Sequence, residues 1–183
     1  MGSNVSKCKT IIAGCDPGFK GGLAYIEYTP GLNDFTLLNV LPLPTCKIKT
    51  KARHLTAYNV PALRSPLNDA HPTCKTYIPE HAVHCDDNSK FSNIATEIGF
   101  GLIAGLIQSD PSKQLVEAWP SVWQSRMFRK ICSRRKKGDT KELAERVALS
   151  VFPDAPIHGP RGGLLDGLSD AICIALYGTT VKQ

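Results

Sequence analysis

Long apolar runs are missing from this chain of 183 residues. Its most apolar stretch, residues 99–107 (GFGLIAGLI), is broken by glycines, and nothing reaches the roughly 18 apolar residues of a membrane span. Residues 1–9 lack the apolar core of a secretory signal, so a cytoplasmic location is expected, that of a host cell if the source is viral. Residues 1–6 (MGSNVS) fit the short myristoylation pattern, but no other feature points to a membrane. No C-x-x-C pair occurs. The seven cysteines are odd in number and scattered, which suits reduced thiols better than a disulfide framework. There is no Gly-Lys-Ser/Thr of a Walker loop. The glycines of residues 159–163 (GPRGG) serve instead to let a loop approach closely, with Arg161 in reach of a phosphate. Repeats are absent, and no composition break divides the chain, so a single domain over residues 1–183 is expected, with residues 1–8 a flexible N-terminus.

Acid is also in short supply: 16 Asp and Glu face 22 Lys and Arg, for a net charge of +6. The excess is local. Arg126, Arg129, Lys130, Arg134, Arg135, Lys136, Lys137 and Lys141 stand against one acid, Asp139, and the rest of the chain is close to neutral. One basic patch on a neutral body points to a polyanion, with nucleic acid first. The alternative is a solvated loop, in which eight cations would repel one another unneutralised.

What is present reads as a mixed α/β chain. Residues 10–15, 23–28 and 35–41 are short strands separated by turn clusters, a β-meander. Residues 42–74 hold five prolines and few periodic apolar positions, and are expected to form an irregular connection with a helix around residues 54–63. A fourth strand ends at Glu80. Phe91, Ile94, Ile98, Leu102 and Leu106 recur at helical spacing, and glycines let that helix pack closely on a sheet. Residues 114–118 are a fifth strand. Residues 140–152 form an amphipathic helix with Leu143, Val147 and Val151 on one face, and residues 164–177 a last apolar helix stopped by Gly178. This order predicts a central five-stranded mixed sheet, three antiparallel strands and then two parallel, flanked by helices.

Four acids stand out by position. Asp16 closes a buried strand, and Pro17 biases it to extended backbone. The plain alternative is an Asp-Pro-Gly turn without chemistry. Glu80 ends another strand and reaches the same rim if the two strands are neighbours. Asp166 and Asp170 lie one turn apart on the last helix, a costly pairing of like charges beside a core unless a cation lies between them. The alternative makes them a cap and a first-turn acid favoured by the helix dipole. Taken together, they offer hard oxygen ligands for two Mg²⁺ or Mn²⁺ ions. Such a pair can activate water and stabilise the leaving oxygen in phosphodiester cleavage.

The segments IAGCDPGFKGGLA (residues 12–24), the strand ending in Glu80 and DGLSDAICIALYG (residues 166–178), in that order, resemble the RuvC family of Holliday junction resolvases. The spacing is closer to that of the phage and organellar branch, and the likeness spans residues 10–178. It implies a ribonuclease H-like fold and a homodimer that places one acidic site on each of two opposed strands of a four-way junction. Carried over, it makes Asp16, Glu80 and Asp170 metal ligands, Asp166 a fourth, and Lys141 the lysine that approaches the scissile phosphate. Val83 stands where relatives carry an aromatic wedge, a departure for which Phe91 is a substitute. Gln124 replaces a common lysine, which passes the basic duty to Arg126, Arg129 and Lys130.

Trp119 and Trp123 are read as core residues rather than as base-stacking ones. Cys74, His81, His84 and Cys85 match no zinc spacing, and His81 and His84 are read as groups behind the ligands or facing DNA. The expected activity is therefore a metal-dependent endonuclease that resolves four-way junctions by paired nicks in recombination, repair or phage DNA processing. Phosphate contacts would come from residues 126–141 and from Lys47, Lys49, Lys51 and Arg53. Two alternatives stay open, a nuclease for RNA–DNA hybrid or structured RNA and an inactive junction-binding protein. The Asp-Pro-Gly turn is also similar to the phosphate turn of actin-like ATPases, which need two domains and a longer chain.

Overall fold

A computed structural model of the chain describes residues 8–50, 54–68, 70–81, 90–129, 131 and 140–181. The first three strands, β1 (Thr10–Cys15), β2 (Gly22–Tyr28) and β3 (Phe35–Pro42), form the expected antiparallel meander. The turn after β1 is closed by the Asp16 N–H donating to the Gly22 carbonyl (3.0 Å) and the Gly21 N–H to that of Gly18 (2.8 Å).

The stretch after β3 departs from expectation. It forms a two-stranded hairpin, β4 (Thr45–Lys49) and β5 (His54–Tyr58), and helix α1 (Val60–Asn68) begins only afterwards. Residues 54–58 are strand, not helix. Pro61 marks the true start, because a proline in the first turn forfeits no helical hydrogen bond.

β6 (Thr76–Pro79) then pairs in parallel with β1, and β7 (Gln114–Leu115) with β6. The sheet order is β3-β2-β1-β6-β7, three antiparallel strands followed by two parallel ones, as the sequence predicts. Between β6 and β7 runs α2 (Lys90–Gln108). The remaining helices are α3 (Pro120–Phe128), α4 (Thr140–Val151) and α5 (Asp166–Gly178). Of these, α3 is not evident from apolar spacing.

Alternation along the strands divides the core. Ala13, Cys15, Leu23, Tyr25 and Tyr77 face one side, with Leu63 and Leu67 of α1 and Ile103 and Ile107 of α2. Ile12, Ala24, Ile26 and Ile78 face the other, with α3, α4 and α5. The helix α5 lies very close to the sheet. A Cβ on Gly14 would overlap the backbone of Ala171 and Ala175, and one on Gly178 would overlap Ile12 and Ile78.

Two core expectations need correction. The buried side of α2 is Ala95, Gly99, Ile103 and Ile107, whereas Ile94 and Ile98 are half exposed. Val151 is exposed at the end of α4, while Leu143 and Val147 are buried as expected. Cys8, Cys15, Cys46, Cys74 and Cys173 are free thiols. No helix among the described residues is long and apolar enough to cross a membrane.

Candidate functional site

Strand parity brings the first two acids together. On β1, Ile12 and Gly14 face α5, so the next residue of that parity, Asp16, does too. On β6 the same rule carries Glu80 to the α5 side after Ile78. Cys15 stands beside Pro79 in the parallel pairing, and the Glu80 N–H donates to the Cys15 carbonyl at 2.8 Å. Both carboxylates therefore leave the sheet at one end. A bridge between Gly21 and Gly167 pins the start of α5 to the β1–β2 turn, and a Cβ on Gly167 would come within 2.9 Å of Asp16 Oδ2. Asp166 and Asp170 follow on the first turns of α5. Leu165, not Asp166, is its N-cap, so Asp166 is the first helical residue.

A cleft of about 600 Å³ opens here. Its walls are the β1–β2 turn with Asp16 and Lys20, the first turns of α2 with Ser92 and Thr96, and Lys141, Asp166 and Asp170. Lys141 is exposed and forms an ion pair with Asp166. Glu80 is set back from the cleft wall, where the buried Trp123 donates its indole N–H to Glu80 Oε1 at 2.8 Å. Asp16 Oδ1 accepts from the Gly18 N–H at 3.1 Å.

The acids resist ionising side by side. Burial pushes Asp16 up to about 6, against the pull of the Gly18 N–H and with a push from Asp166. Burial and then Asp16 push Glu80 up to about 8, while the Trp123 hydrogen bond opposes. Asp170 is held well above the usual carboxylate range by burial, then by Asp16, Glu80 and Asp166, with Lys141 acting the other way. Three elements thus feed one electrostatic unit with a shortage of positive charge. Among the described residues, no three His, Cys, Asp or Glu side chains are already grouped to hold a metal ion. The chemistry of the donor set nevertheless fits a divalent cation, since the donors are all carboxylates and their mutual repulsion calls for positive charge.

The basic patch is only partly described. Arg126 and Arg129 are exposed, and Arg126 approaches the Thr180 carbonyl at 3.4 Å. Lys130, Arg134, Arg135, Lys136 and Lys137 lie outside the described residues, as do residues 1–7, Lys51, Arg53, Val83, His84, Cys85 and the Phe91 side chain.

The two tryptophans part company. Trp123 is core, as expected. Trp119 is 47% exposed and stacks on His81, with ring centres 3.9 Å apart. His81 in turn meets Glu117 at 2.9 Å. Sequence reasoning did not find Trp123 as the partner of Glu80. The available signal was that a buried indole N–H needs an acceptor. Lys20, Ser92 and Thr96 carried no signal beyond the nearness of Lys20 to Asp16.

No protein-family model matches the chain, and no curated protein matches it in sequence. Solved structures match it in fold. RuvC of Thermus thermophilus in complex with a Holliday junction substrate is 14% identical, with a TM-score of 0.61 over 92% of each chain. The fold is that of RuvC. A second Thermus thermophilus RuvC structure gives a TM-score of 0.54 at 12% identity, again over 92% of each chain. A Fowlpox virus resolvase with its Holliday junction DNA is also matched, at 12% identity and a TM-score of 0.49.

Proposed function

We propose that this chain is a divalent-metal-dependent endonuclease that cuts four-way DNA junctions by paired nicks. The observation that carries the reading is the meeting of Asp16, Glu80, Asp166 and Asp170 at one end of a RuvC-type sheet, each of the buried ones raised first by burial and then by the charge of its neighbours. Asp16, Glu80, Asp166 and Asp170 would hold Mg²⁺ or Mn²⁺. When bound, two such ions supply a nucleophile from water and Lewis acidity at the scissile phosphate.

The chain's own groups do the rest. Trp123 fixes the Glu80 carboxylate by one N–H and favours its charged form. The Gly18 N–H does the same for Asp16. Lys141, exposed beside Asp166, offers a positive charge at the mouth of the cleft to a phosphate oxygen. Arg126 and Arg129, with the other cations of residues 126–141, add affinity that weakens with salt.

Two nicks on opposed strands need two sites, so the active form is a homodimer. One face of α2 supports this: Ile94, Ile98, Gly101 and Gly105 recur on one exposed side, and the glycines have open space where a Cβ would be. Such a stripe permits close approach of a second helix.

The test is a synthetic four-way junction with purified protein and Mg²⁺. Paired symmetric nicks are expected, with Asp16→Asn binding the junction but leaving it uncut. Cleavage that survives Asp16→Asn excludes the proposed site. Preferential cutting of a competing RNA–DNA hybrid would assign the activity to that substrate, and binding without any cutting would leave a junction-binding protein.

A further inference from the structure

The β4–β5 hairpin stands apart from the two packed layers. β4 is exposed at all five residues, and β5 becomes buried only at Tyr58. Cross-strand partners share a face. Thr45 with Tyr58, Lys47 with Thr56 and Lys49 with His54 therefore make one face, while Cys46 with Ala57 and Ile48 with Leu55 make the other. The first face is polar and cationic. Lys47 donates to Thr56 Oγ1 at 2.7 Å, and neither Lys47 nor Lys49 pairs with a carboxylate among the described residues.

The base of that same face is tied to the acidic cleft. The Tyr58 hydroxyl lies 2.5 Å from the carbonyl oxygen of Pro17, which follows Asp16, and 2.8 Å from that of Ala95 in α2. Its ring packs on Phe19 at 4.7 Å. Gly99 leaves the space this hydroxyl needs, since a Cβ there would overlap both it and the Pro17 carbonyl. Two lysines without a carboxylate partner among the described residues are thus anchored, through Tyr58, on the turn that carries Asp16 and on the helix that lines the cleft.

We infer that the hairpin is a DNA-holding arm. Its Lys47–Lys49–His54 face takes the sugar–phosphate backbone of the duplex leading into the cleft, and Tyr58 fixes the arm's position relative to Asp16. A polyanion fits because the cleft acids repel phosphate and the arm supplies the opposing attraction. The identity of that polyanion as DNA rests on the endonuclease reading, whereas the placement of the cations does not.

The test measures affinity for a four-way junction and for a linear duplex between 50 and 300 mM salt (roughly the range over which such slopes are read), in EDTA and in the Asp16→Asn background. Each phosphate contact contributes about 0.9 to the slope of log affinity against log salt. Replacing Lys47 and Lys49 together by Ala should lower that slope by about 2 and weaken both DNAs alike. Replacing both by Arg should keep it, and Ile48→Ser on the opposite face should leave it unchanged. Tyr58→Phe should keep the slope while nick positions, mapped in the Asp16 parent with Mg²⁺, spread to neighbouring phosphates. An unchanged slope in the double Ala variant, or an equal loss in Ile48→Ser, overturns the arm alone. Unaltered nick positions in Tyr58→Phe overturn the tether. A parent protein that binds neither DNA overturns both the arm and the endonuclease reading.

Discussion

At Glu80, neighbours pull in opposite directions. Burial and the charge of Asp16 raise it from 4.5 to about 8, and the Trp123 N–H draws it back. Between those two values the folded chain keeps a proton that the unfolded chain has released. By linkage, the contribution of Glu80 to stability falls as pH rises through that window. Asp16, raised to about 6, adds the same trend over the lower part. The ion-free protein should therefore lose stability from pH 5 to pH 8 relative to Glu80→Gln, whose amide oxygen still accepts from Trp123. At pH 8 the variant should melt higher by about 5 °C, on the scale that one to two kcal/mol sets for a chain of this size. Thermal melts in EDTA check this, and a gap between parent and variant that shrinks with pH would contradict it. Added Mg²⁺ should restore the parent by binding its charged form.

Among the elements, α5 carries the most consequence, because its small residues let it sit almost on the backbone of β1. Gly14→Ala inserts a methyl group where Ala171 and Ala175 already are. The helix must then move away from β1, taking Asp166 and Asp170 away from Asp16. The expected loss is about 1–3 kcal/mol of stability, the usual cost of overpacking, together with most Mg²⁺-dependent cleavage. Denaturant unfolding and junction assays read the two effects separately. The meander, the parallel strands and this helix were legible in the sequence because short strand-forming runs end at turn clusters and the last apolar run ends at Gly178. The register of Asp16 and Glu80 followed from their place at strand ends. Other elements left no such trace. β4 does alternate, Cys46 and Ile48 against Thr45, Lys47 and Lys49, but it is five residues long and buries neither face, so no core marks it out. On α2, the core side is carried partly by Ala95 and Gly99, and the larger Ile94 and Ile98 drew the helix face the wrong way. The large apolar ring of Trp123 marks it as a core residue, but does not say that its indole N–H meets Glu80.

For the molecule as a whole, charge and apolar surface are sorted by place. Acids converge at one end of β1 and β6, exposed cations stand on the hairpin and around α3, and bare apolar surface lies along α2. The last of these predicts that Ile98→Asp converts a dimer to a monomer in sedimentation, with the fold kept, since Ile98 is half exposed in the single chain. A monomeric parent would remove the α2 interface from the account. The position of β1 has one more consequence. It is flanked by paired strands on both edges and covered on both faces, so the backbone beneath Asp16 belongs to the part of the chain that opens last when the molecule breathes. The hairpin pairs only with itself among the described residues and β4 is exposed throughout, so its amides should exchange with solvent well before those of β1.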